Sequence, residues 1–91
     1  MKPKLSCKKQ DKELIEFRKE IDSVDQEIVK LFRKRFSIVS KVKKFKQKNN
    51  LPMTDKKREV EIVDKLGKKF DIKFVKDLYM VVFRYGKKLH P

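Results

Sequence analysis

Arg35 and Lys46 stand eleven residues apart, about three turns of an α-helix, so in a helical segment both project from nearly the same face. Val39 and Val42 lie between them and would floor the gap. Two cations flanking an apolar floor suit a small anion with a hydrophobic body. Lys46 also reads as a solvated lysine near a helix C-terminus, where positive charge is favoured. Arg35 is harder to set aside. It falls on a step of an otherwise apolar ladder, and a guanidinium cannot shed its charge in dry surroundings. Either it meets a carboxylate inside the fold, or it waits for an anionic ligand.

Other charged residues carry two readings each. Arg18 flanks Phe17 and Ile21, and as a structural residue it would pair with Asp22, four residues on. In Asp55-Lys56-Lys57-Arg58-Glu59 the acids suit a helix start, where a side-chain oxygen caps free amides and negative charge complements the dipole. Tyr79, Phe83 and Tyr85 read as core, and His90 as a lone histidine at a chain end. No Gly-rich phosphate loop, Cys or His cluster, or nucleophile with a base in a known motif is present. Cys7 is the single cysteine, so no internal disulfide forms. What remains is a cationic pocket without nucleophile, metal or cofactor. It suits a binding protein, or a reaction that needs only restraint and electrostatic stabilisation.

These residues are carried by a helical ladder. Leu14, Phe17, Ile21, Val24, Ile28 and Leu31, then Ile38, Val42 and Phe45, recur in steps of three and four, with Arg35 at the missing step. Residues 1–11 are polar and basic and read as a flexible tail; the helical domain is expected over 12–91. The long helix is expected from near Asp11 to Asn49-Asn50, with no Pro or Gly between. About 38 residues give a rod of about 57 Å, too long for the rest of the chain to cover, so a second copy is the expected cover. Thr54 or Asp55 then caps a second helix that runs to about Leu66, with Gly67 as a stop. Asp71 caps a third, whose seam is Val75, Leu78, Val82, Tyr85 and Leu89. The expected fold is all-α, with one long, one short and one medium helix in a homodimeric bundle.

The chain has 91 residues, a formal charge of +14 and 44% charged residues. So basic a chain attracts anions, whether nucleic acid, an acidic membrane surface or a small polyanion. A basic helical dimer that binds nucleic acid is one alternative, but the aromatics lie on apolar seams and do not interleave with surface cations. No run is long enough for a membrane span and no signal sequence is evident, so a cytoplasmic protein is expected.

Taken together, Phe17-Arg18-Lys19-Glu20-Ile21-Asp22-Ser23-Val24-Asp25, Arg35, Lys46, Pro52-Met53-Thr54-Asp55 and Arg58-Glu59 resemble the all-helical chorismate mutase family over roughly residues 14–90. The set is specific, although no single piece is. The resemblance implies an intertwined homodimer with two equivalent sites. Each would use Arg35, Lys46, Asp55, Arg58 and Glu59 of one chain and Arg18 of the other. The implied reaction is the cofactor-free Claisen rearrangement of chorismate, a compact dianion, to prephenate. Arg18 and Arg35 would hold the carboxylates, Lys46 would meet charge growing on the ether oxygen, and Glu59 would accept from the ring hydroxyl.

Two positions depart from the family pattern. Where the family has a small polar residue in the last helix, and four residues later a Gln or Glu that donates to the ether oxygen, this chain has Gly86 and His90. Gly86 removes a carboxylate contact. His90 is expected to partner Lys46, so that His90→Ala would lose on the order of 10²-fold in rate. Lys43, where the family often has Gly, is expected to be a packing detail. The nearest rival is an isochorismate-pyruvate lyase on the same scaffold, though such lyases tend to lose the acids that Asp55 and Glu59 supply here.

Overall fold

The computed structural model describes residues 9–90. Three helices follow in order: α1, Lys9–Lys48; α2, Lys56–Gly67; and α3, Ile72–Lys88. No strand occurs among the described residues, and no helix is long and apolar enough to cross a membrane. The expected all-α class and the order long, short, medium hold. Cys7 and the first eight residues of the expected tail lie outside the described residues. Asp11 lies within α1 and is not its cap.

Two compact units divide the chain, one ending at Lys34 and the other beginning at Arg35. The first unit is the N-terminal length of α1. Its ladder residues Leu14, Phe17, Ile21, Val24, Ile28 and Leu31 are all exposed, Phe17 and Ile21 at 56% and 57%. Among the described residues of that unit nothing covers them. Its described ion pairs, Glu16 with Lys19 and Glu27 with Lys30, bridge single turns on the solvated side.

The second unit packs α2 and α3 with the last turns of α1. Val75 and Val82 are its buried apolar centre, at 5% and 4% exposure. Ile62, Val63 and Leu66 of α2 and Leu78 of α3 are half-buried around them. At the α1 boundary, Phe36 meets Tyr85 edge to face at 4.6 Å. Gly86 is buried in α3. A Cβ there would lie 3.7 Å from Val39 Cγ1, so the two helices approach closely at this point.

The helix ends are fixed by local chemistry. Past α1, Asn50 takes a φ of 55°, a left-handed conformation that Asn tolerates. The amide of Leu51 then bonds the carbonyl of Lys46 at 2.8 Å, and that of Asn50 the carbonyl of Gln47 at 3.4 Å. This pairing satisfies the carbonyls a helix end would leave free, and it anchors the turn that carries Lys46. Asp55 caps α2 by accepting from Arg58 N at 3.0 Å, and Asp71 caps α3 by accepting from Phe74 N at 2.9 Å. At the end of α2, a Cβ on Gly67 would come within 3.1 Å of Ile72 Cγ1 and 3.3 Å of its Cβ. The glycine makes room for the start of α3.

Candidate active site

Within the second unit, α1 presents Arg35 and Lys46 on one face, with Val39 and Val42 between them, as the spacing predicts. The start of α2 brings Asp55, Arg58 and Glu59, and α3 closes the wall with Val82, Phe83, Gly86 and Lys87. Together they line a cavity of about 350 Å³. Its floor is apolar and its rim mostly cationic.

Arg35 is half-buried, and among the described residues no carboxylate lies within ion-pair distance of it. Two aromatic rings hold it instead. Its guanidinium carbon lies 5.5 Å from the centroid of Tyr79 and 5.8 Å from that of Phe83, and the rings pack edge to face at 5.6 Å. Such contacts orient a cation without neutralising it, each worth about 0.5–1 kcal/mol where water still reaches it. Of the two possibilities for Arg35, an internal carboxylate is not found among the described residues. Its N–H fork stays available for a planar anionic group.

Lys46 is half-buried in the last turn of α1 and has no ion-pair partner among the described residues. The Asp55 side chain is engaged as the cap of α2. Arg58 stands 3.9 Å from Glu61, a loose surface pair. Glu59 pairs with Lys87 at 3.4 Å.

Two expected site residues, Arg18 from a second copy and His90, are not among those lining the cavity. Arg18 belongs to the first unit and is exposed. Its expected structural pair with Asp22 is not among the ion pairs of the described residues. His90 does not line the cavity. Helix α3 ends at Lys88, and Leu89 turns out of it with ψ at 144°, so exposed His90 leaves the face that carries Val82 and Gly86. Continued helix would have been needed to place His90 one turn beyond Gly86.

Two residues gain importance. Lys43 is no packing detail: its Nζ donates to the carbonyls of Gly86 and Lys87, each at 3.0 Å, and to that of Leu89. A cation on the free carbonyls of a helix C-terminus is favoured by charge and by hydrogen bonding. Its position, four residues after Val39 and three before Lys46, was a visible signal. Lys87 gave no such signal, because its partner Glu59 is on another helix.

The family model for chorismate mutase type II matches residues 17–90. The chain belongs to that family. It is 36% identical over 78 residues to a bifunctional chorismate mutase/prephenate dehydratase of Aquifex aeolicus, covering 86% of this chain and 20% of that protein. A chorismate mutase of Methanocaldococcus jannaschii is 38% identical over 55 residues, 60% of this chain and 56% of that one. The T-protein of Haemophilus influenzae is 42% identical over 50 residues, 55% of this chain and 13% of that protein. The chain thus spans about a fifth of the length of the bifunctional enzyme of Aquifex. No solved structure gives a significant match.

Proposed function

We propose that the chain is a chorismate mutase, an isomerase that converts chorismate to prephenate without a cofactor. One observation supports this most: in a chain of this family, half-buried Arg35 has no carboxylate partner among the described residues and shares a cavity with Lys46 and Glu59 over Val39 and Val42. A compact dianion with an apolar body matches that arrangement.

Arg35, gripped by Tyr79 and Phe83, takes one substrate carboxylate through a forked pair of hydrogen bonds. Holding the flexible side chain over the ring converts restraint into rate, since the reaction joins two ends of one molecule. As the ether C–O bond breaks, negative charge grows on its oxygen. Lys46, its backbone anchored by the turn at Asn50, donates there, and the contact strengthens toward the transition state. Glu59 accepts from the ring hydroxyl, with Asp55 and Arg58 shaping the same corner.

The second carboxylate needs a further cation, and Arg18 supplies it from a second copy of the chain. The exposed ladder from Leu14 to Leu31 supports this homodimer. Burying the open half of each such side chain is worth roughly 1 kcal/mol.

The direct test offers chorismate and isochorismate separately to the purified protein. Prephenate from chorismate is the expected product. Salicylate and pyruvate from isochorismate, with no prephenate, would assign the site to the lyase instead.

A further inference from the structure

Lys87 and Glu59 both line the cavity, and Lys87 Nζ lies 3.4 Å from Glu59 Oε2. Among the described residues this is the one ion pair that joins two helices; the others span a single turn. Glu59 is the more enclosed partner, its side chain 27% exposed against 51% for Lys87. Lys87 is held in turn, because its carbonyl accepts from Lys43 at 3.0 Å. The C-terminal turn of α3 therefore reaches α2 through one ammonium and α1 through another.

Glu59 has an awkward place in an anion site. Its charge repels the ligand that Arg35 and Lys46 attract, yet a carboxylate is the acceptor a ligand hydroxyl needs. A cation on one carboxylate oxygen resolves the conflict. It offsets the repulsion and leaves the other oxygen free to accept. It also restricts the rotamers of a long side chain before the ligand arrives. On the mutase reading of the site, we infer that Lys87 is a positioning residue: it holds Glu59 for the substrate's hydroxyl and masks its charge from the substrate's carboxylates.

This role acts on binding more than on the chemical step, which separates it from that of Lys46. Lys87→Met raises KM about tenfold, an ordinary size for coupling between neighbouring groups, and leaves kcat within about twofold. Lys87→Gln does the same, and Lys87→Arg restores KM to within about threefold because it keeps the cation. The effect also vanishes without its target: in a Glu59→Gln background, Lys87→Met changes KM by less than about twofold.

The experiment is steady-state prephenate formation by the full chain and these variants, run well below their melting temperatures. The expected result is the rise in KM, its rescue by Arg and its loss in the Glu59→Gln background. An unchanged KM in Lys87→Met and Lys87→Gln, with an active wild type, overturns the role of Lys87 alone. A rise that persists undiminished in the Glu59→Gln background also overturns it, since Lys87 would then act on the substrate directly. A wild-type chain that forms no prephenate overturns the functional reading and this inference together.

Discussion

Lys43 on α1 reaches the C-terminal turn of α3 and donates to the carbonyl of Gly86 at 3.0 Å. With the carbonyls of Lys87 and Leu89 as further acceptors, one ammonium satisfies groups that the end of α3 would leave to water. The bond also fixes the wall of the cavity, because Gly86 and Lys87 belong to it. Lys43→Met should therefore destabilise the fold by about 1.5–3 kcal/mol, the range for hydrogen bonds to a charged group. Thermal unfolding at one fixed protein concentration checks this. A melting temperature within a degree of wild type would mean that water replaces Lys43 without loss.

Gly86 offers the opposite change. Its added Cβ meets only ordinary contact, 3.7 Å from Val39 Cγ1, and a glycine within a helix costs about 0.5–1 kcal/mol relative to alanine. Gly86→Ala is expected to raise the melting temperature by a few degrees. A lowered one would show that α1 and α3 approach more closely here than that spacing allows.

Arg35 is predicted to resist conservative replacement. Lysine keeps the charge but loses the planar fork and the stacking on Tyr79 and Phe83. Arg35→Lys and Arg35→Ala are both expected to lose on the order of 10²-fold in kcat/KM. Steady-state kinetics with chorismate is the check, and near-wild-type activity in Arg35→Lys would remove the forked contact from the account.

On the proposed dimer, in which two chains share each site, mixed chains should complement each other. Arg18→Ala and Lys46→Ala are each inactive alone, but a refolded equal mixture should regain about a quarter of wild-type activity. Half the dimers then pair unlike chains, and each such dimer has one intact site of its two. No recovery in the mixture would mean that Arg18 serves its own chain or no site.

Much of this site was legible because its parts are local in sequence. The face shared by Arg35, Val39, Val42 and Lys46 follows from helical period alone, and Asp55 and Asp71 cap α2 and α3 as their residue type predicts. What escaped depends on contacts between helices. The grip of Tyr79 and Phe83 on Arg35 joins α3 to α1, and the Lys87–Glu59 pair joins α3 to α2. The position of His90 also depends on such a contact. A period carried past Gly86 continues the helix, whereas Leu89 leaves it and its carbonyl turns to Lys43. His90→Ala is accordingly expected to change the rate less than about threefold, far below the order of 10² that loss of a group donating to the reacting oxygen would cost.

If this chain rearranges chorismate with Lys46 on the breaking ether bond, as proposed, kcat for prephenate formation by wild type and Lys46→Ala will reveal it. An active wild type and a loss of at least about 10²-fold in kcat for Lys46→Ala, with KM changed far less, are expected. Equal kcat in the two proteins, or a wild type that forms no prephenate, would contradict it.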